Sequence, residues 1–263
     1  MLQDLLIPAV SIGGIGLVFG IILAVASKVF HVETDERIGK ITEVLPSANC
    51  GGCGYAGCSA YAEAVVSGKA SVNGCPVGGA AVAQKVAEIM GVSASSETQR
   101  KIAHVICSGG CNSEKFEYHG ISDCRAANRL ANGDKSCAYA CLGLGSCAAV
   151  CPFDAITVTD GHVNIREEKC TGCGKCVEEC PKNIISLIPE NAPYFVQCSS
   201  KNKGAVTRNV CEDGCIGCKI CEKKCEFNAI EVYDNLAAID YKKCTGCGAC
   251  VEACPRKIIR LTS

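Results

Sequence analysis

The run Cys170-x2-Cys173-x2-Cys176-x3-Cys180-Pro181 returns 74 residues later as Cys244-x2-Cys247-x2-Cys250-x3-Cys254-Pro255, and this spacing leaves a chain few options. Three thiols at intervals of three converge on one face of a 4Fe-4S cubane, while the fourth, before proline, is turned towards a neighbouring cluster. The repetition is wider than the runs. Cys151 to Ile188 aligns without a gap on Cys225 to Thr262, with 21 identities in 38 positions, which marks an internal duplication. Each copy opens with a strand-like piece (Ala155 to Val158, Ala229 to Val232) that leads through a turn into a second one. Cysteines number 25 in 263 residues, yet disulfide scaffolds this rich in Cys are rarely so long. Aromatics make up only 5% and Trp is absent, so large side chains build little core and bound metal has to supply cohesion. Lys and Arg (26) balance Asp and Glu (27), which excludes the strongly basic face of a nucleic-acid binder.

Runs of this kind are the ligand pattern of two-cluster ferredoxins, in which the last Cys of each run serves the other cluster. The upstream partners are Cys137-x3-Cys141-x5-Cys147-x3-Cys151-Pro152 and Cys215-x2-Cys218-x2-Cys221-x3-Cys225, with Glu226 where proline is expected. The crossed rule groups Cys137, Cys141, Cys147 with Cys180, and Cys170, Cys173, Cys176 with Cys151. In the second module it groups Cys215, Cys218, Cys221 with Cys254, and Cys244, Cys247, Cys250 with Cys225. Structural zinc sites instead join two C-x2-C pairs across a longer spacer. An earlier group, Cys50, Cys53, Cys58 and Cys75, is interleaved with Gly51, Gly52, Gly54 and Gly57. It reads as a fifth 4Fe-4S site, with zinc as the alternative. Cys107, Cys111, Cys124, Cys198 and Cys211 remain. They are either isolated thiols or a sixth cluster on Cys107, Cys124, Cys198 and Cys211, with Cys111 as spare or substitute. The four His residues, at 31, 104, 119 and 162, fit no ligand spacing.

Leu5 to Phe30 carries Lys28 as its only charge and reaches the roughly 20 apolar residues that cross a bilayer. Ala24-Val25-Ala26 imitates a signal-peptidase site, but no basic residue precedes the apolar run, and export would carry the thiols into an oxidising compartment. An uncleaved single transmembrane helix is therefore expected. Lys28, Arg37 and Lys40 follow it, which puts the soluble part on the cytoplasmic side of the cell (inner) membrane. Gly16-x-x-x-Gly20 would admit a partner helix.

The expected fold class is α+β. An anchor at 1–30 and a spacer at 31–46 precede a small helical four-Cys iron-sulfur domain at 47–92. A linker at 93–106 and a Cys-containing connector at 107–136 lead to a ferredoxin-like module at 137–188, and an insert at 189–210 separates this from the tandem module at 211–263. No Gly-rich phosphate loop and no nucleophile-base arrangement is present, so no catalytic residue is assigned.

The anchor, then Asn49-Cys50-Gly-Gly-Cys53-Gly-x3-Cys58, then Cys137-x3-Cys141-Leu-Gly-x-Gly-x-Cys147-x3-Cys151-Pro152-Phe153, resembles the B-subunit family of the Rnf complexes, in the longer form with two ferredoxin modules. The resemblance implies a component of an ion-translocating ferredoxin:NAD+ oxidoreductase. Such a component accepts electrons from reduced ferredoxin and passes them to membrane and flavin-bearing subunits, and NAD+ reduction is coupled to Na+ or H+ translocation. A membrane-tethered polyferredoxin serving another oxidoreductase, such as a hydrogenase, is the alternative.

Overall fold

The computed structural model describes residues 2–29, 35–93, 99–109, 111 and 113–262. His31 and the end of the anchor at Phe30 lie outside the described residues. α1 (Leu2–Val29) is one helix, with side chains described from Gly13 to Lys28. Among the described residues no helix is long and apolar enough to cross a membrane.

The polar segment before the first cysteines is not a bare spacer. Asp35 caps α2 (Glu36–Val44) by accepting the Arg37 N–H at 2.9 Å. Ile38, Ile41 and Leu45 lie on one face of the turns that follow, and Ile41 is completely buried against α3 (Cys58–Val66) and α4 (Gly79–Met90). Tyr61, Val65 and Val86 complete this core, and Gly91 in the left-handed region ends α4. The four-Cys domain is thus a three-helix unit whose first helix starts eleven residues before its expected boundary.

Each ferredoxin module likewise begins earlier than its cysteine runs. β1 (Lys101–Val105), from the expected linker, pairs antiparallel with β4 (Ile185–Pro189). Between them lie α5 (Cys124–Arg129), α6 (Ser146–Ala149), the hairpin β2 (Ile156–Thr159) with β3 (His162–Ile165), and α7 (Lys175–Glu179). The second module repeats the plan. β5 (Tyr194–Val196), from the expected insert, leads through α8 (Gly204–Val210) and α9 (Ile220–Lys224) to the hairpin β6 (Ile230–Tyr233) with β7 (Leu236–Ile239). α10 (Ala249–Ala253) and β8 (Ile259–Leu261) close it, β8 pairing with β5. β1 and β5 pair with strands far along the chain, which local pattern does not show.

The module cores are small. In the second, Val196, Ile230, Val232, Ile258 and Ile259 are the buried aliphatics, and Cys198, Cys215 and Cys221 share their core. Such a core is slight against the conformational entropy of about 70 ordered residues, so the thiols' ligand must supply the remainder. Anaerobic chelation of all metal is expected to abolish cooperative unfolding and protease resistance in both modules. Limited proteolysis with mass mapping checks this, and persistence of either module after complete metal loss would contradict it.

Candidate metal centres

In the four-Cys domain the peptide chain itself is arranged around the thiols. The Asn49 Oδ1 accepts the Cys58 N–H at 2.9 Å, which starts α3 where Gly57 has no side chain to do so. The Tyr61 hydroxyl, inside the core, donates to the Ser71 carbonyl at 2.7 Å and accepts the Gly74 N–H at 3.0 Å, pinning the loop that delivers Cys75. Burial pushes this phenol up to about 12. The Cys75 Sγ accepts the Gly78 N–H at 3.4 Å. Burial raises the Cys75 thiol, and the nearby Cys50 and Cys53 thiols raise it further. Cys58 packs on the same core. Composition and spacing carry no hint of Tyr61's role.

The first module encloses two thiol-lined cavities. Cys151, Cys170, Cys173 and Cys176 surround one, with Phe153, Ile156 and Ile165 in its walls. The backbone N–H of Ala103 in β1 donates to the Cys170 Sγ at 3.4 Å. Cys124, Cys141, Cys147 and Cys180 surround the other. The expected set had Cys137 in the place of Cys124, and local bonding accounts for the difference. Asp123 caps α5 by accepting the Ala126 N–H at 2.7 Å, and its other oxygen accepts the Ser146 hydroxyl at 3.1 Å. Ser146 in turn accepts the Cys124 N–H at 2.8 Å. These bonds hold the Asp123 carboxyl below the usual carboxylate range. Arg125 pairs with Glu179 at 3.0 Å and donates to the Glu178 carbonyl at 3.1 Å, so α5 is fastened to α7. The duplication contained the signal. At the offset of 74, Cys141 matches Cys215, Cys147 matches Cys221, and Leu144 falls where Cys218 stands, so the first module needs a thiol from elsewhere.

In the second module Cys215, Cys218 and Cys254 crowd Cys221, and Cys225, Cys244 and Cys247 crowd Cys250. The Cys225 Sγ accepts the Ala229 N–H at 3.3 Å. Cys218 and Cys247 are exposed at the surface.

Cys107, Cys111, Cys137, Cys198 and Cys211 line a further cavity where the two modules meet. Cys124, expected among them, is instead in the first module, and Cys137 has moved in the opposite direction. Among the described residues no group of three or more His, Cys, Asp or Glu stands close enough to hold a single metal ion. A cubane spreads its four thiolates over four irons and makes a wider demand. Burial pushes the Cys141 and Cys176 thiols up to about 12 and the Cys147, Cys198 and Cys221 thiols up to about 11. Thiolates in these cavities therefore need a cationic centre or hydrogen-bond donors to exist.

The thiol sets follow one another through the molecule. Cys50 lies near Cys173, and a methyl group on Gly52 would meet the Cys173 carbonyl at 2.5 Å, so only glycine lets the four-Cys domain approach this closely. Cys147 lies near Cys176, Cys107 near Cys141, and Cys198 near both Cys211 and Cys215.

A family model for an Fe-S cluster matches residues 45–77, and models for a 4Fe-4S dicluster domain match 134–181 and 214–259. The chain is 49% identical to the B subunit of the Na(+)-translocating ferredoxin:NAD(+) oxidoreductase complex of Acetobacterium woodii, over 98% of this chain and 78% of that one. It is 42% identical to the B subunit of the ion-translocating oxidoreductase complex of Methanosarcina acetivorans, over 99% of this chain and all of that one. Against the B subunit of the proton-translocating ferredoxin:NAD(+) oxidoreductase complex of Clostridium ljungdahlii it is 46% identical, over 94% and 88% of the two chains.

Tyr61→Phe removes both hydrogen bonds that hold the Cys75 loop, at a cost of about 1–3 kcal/mol. The expected result is a lower midpoint in chemical denaturation and faster loss of the Cys50-group metal to chelator, while the metal of the two modules is retained.

Proposed function

The chain belongs to the family of B subunits of the ion-translocating (Rnf) oxidoreductase complexes, and from that premise we propose that it carries electrons from reduced ferredoxin towards the subunits that reduce NAD+, with Na+ or H+ translocation coupled to the flow. It is an iron-sulfur electron-transfer subunit. When bound, 4Fe-4S clusters supply one-electron chemistry at potentials set by burial and by hydrogen bonds to sulfur. The polypeptide's part is to hold its thiols in sets, bury them, and aim backbone N–H groups at Cys75, Cys170 and Cys225. The apolar, cysteine-lined cavities of the first module fit such clusters, with Cys124, Cys141, Cys147, Cys180 as one ligand set and Cys151, Cys170, Cys173, Cys176 as the other.

We take α1 as the membrane anchor. From Ile15 to Val25 its large apolar side chains are all more than half exposed and, among the described residues, none covers them, as suits a lipid-facing helix. The basic residues after it favour the cytoplasmic side for the soluble part.

The observation that carries the proposal is the succession of thiol sets, from the Cys50 group, which follows the anchor in sequence, to Cys218 and Cys247 at the surface of the second module. The exposed end suits a soluble electron donor. Lys219, Lys223, Lys224, Lys242 and Lys243 are exposed there and would draw a partner that carries negative charge at its own cluster. Output then leaves through the Cys50 group.

Lys223→Glu combined with Lys224→Glu is expected to slow reduction by reduced ferredoxin about tenfold at low ionic strength, with the gap closing as salt rises. Stopped-flow bleaching of the cluster absorbance reads this, and an unchanged rate and salt dependence would place docking elsewhere. Cys53→Ala is expected to halt electron delivery to the assembled complex while the second module is still reduced by ferredoxin. Loss of that reduction, with distal clusters shown intact, would reverse the proposed order.

A further inference from the structure

The cavity between the modules has the construction of a metal site of its own. β1 ends two residues before Cys107, which therefore enters the cavity from the first sheet. Cys111 is bridged by backbone to Cys211, across the module boundary. Ser113 and Glu114 are tied to the residues before Cys137, with the Ser136 N–H on the Ser113 carbonyl at 3.0 Å and a second bridge between Glu114 and Lys135. Cys211 follows α8, its N–H bonded to the Thr207 carbonyl at 2.9 Å, and Arg256 donates to the Cys211 carbonyl at 2.6 Å. Lys182, the counterpart of Arg256 at the offset of 74, donates to the Ala138 carbonyl at 2.9 Å beside Cys137. Each thiol is thus delivered by a separate, fastened piece of backbone.

Four of the five thiols belong together. Cys107 and Cys111 lie near enough to Cys137 to act on its charge, and all three act on Cys211. Cys198 differs. Its neighbours are Cys211 and Cys215, and its Sγ accepts the Ser200 N–H at 3.4 Å and the Cys215 N–H at 3.3 Å. The Cys215 bond ties that sulfur to the neighbouring set in the second module.

We propose that the junction between the two modules holds a sixth 4Fe-4S cluster on Cys107, Cys111, Cys137 and Cys211, with Cys198 as a non-ligand hydrogen-bonded to the neighbouring set in the second module. The duplication supplies part of the reason. Val105 opposite Ile185 corresponds to Val196 opposite Ile259, so Cys107 and Cys198 occupy equivalent positions two residues beyond, and Cys137 and Cys211 are equivalent at the offset of 74. Duplicating a module therefore placed two pairs of matched thiols at one seam, and three of these, Cys107, Cys137 and Cys211, make a set of four with Cys111. The site bridges Cys141 on one side and, through Cys198, Cys215 on the other. Without it the two cluster pairs have no ligand set between them.

This inference rests on the iron-sulfur reading given above, and one measurement separates the two. Iron and acid-labile sulfide are counted on the full chain, purified anaerobically. The expected content is about 24 iron atoms, six clusters of four. About 20 would overturn the sixth site alone, and little iron with no sulfide would overturn the iron-sulfur reading itself. Cys107→Ser combined with Cys111→Ser is expected to lose about four irons while the low-temperature EPR signals of the other clusters persist. Cys137→Ser combined with Cys211→Ser is expected to lose the same number. Cys198→Ala is expected to keep the full count, and a loss of four there would overturn the ligand set. One zinc per chain, lost in the double variants with iron unchanged, would replace the cubane by a mononuclear site.

Discussion

The bond between a buried thiolate and iron is what the rest of this molecule is arranged around. Placing a thiol in an apolar cavity disfavours the form that binds metal, as the raised Cys141 and Cys176 show. Assembly must therefore remove a proton at each ligand and gain more from metal-thiolate bonding and local order than the burial costs. Aliphatic contacts of the size found around Ile156 or Ile230 serve to shield the metal centres more than to hold the modules together.

Proteins that fold around inorganic groups tolerate irregular backbone, and the turns here show it. Gly172 adopts a positive φ and passes so close to β1 that a methyl group on it would collide with the Lys101 carbonyl. A turn this tight lets Cys170, Cys173 and Cys176 face one centre. The hairpin β2–β3 closes their cavity from one side through Ile156 and Ile165. The same logic appears in the four-Cys domain, where Asn49 caps α3 at Cys58 and Tyr61 directs its hydrogen bonds to the loop before Cys75.

Much of this was legible in the sequence wherever ligand spacing alone dictates geometry. Cys170, Cys173 and Cys176 must converge, and a Cys before proline must turn away, whatever surrounds them. The helical character of 47–92 and the strand pieces near Ile156 and Ile230 were legible for the same local reasons. What was hidden depended on contacts distant in sequence. β1 and β5 are strands only because β4 and β8 lie beside them. Cys124 reaches Cys147 through Asp123, Ser146 and Arg125, none of which spacing rules weigh. The interchange of Cys124 and Cys137 follows from Leu144 standing opposite Cys218 at the offset of 74, while Cys141, Cys147 and Cys151 each keep a cysteine opposite them.

Gly51, Gly52, Gly54 and Gly74 are among the residues that the four-Cys domain turns towards the first module, opposite Gly172 and Gly174. At Gly52 the backbone lies directly against the Cys173 carbonyl. Quantum tunnelling weakens steeply with every ångström of intervening matter, and side chains are the matter most easily added by mutation. A seam of glycines keeps the barrier between Cys50 and Cys173 thin, so drift at these positions would act on conductance before it acted on fold.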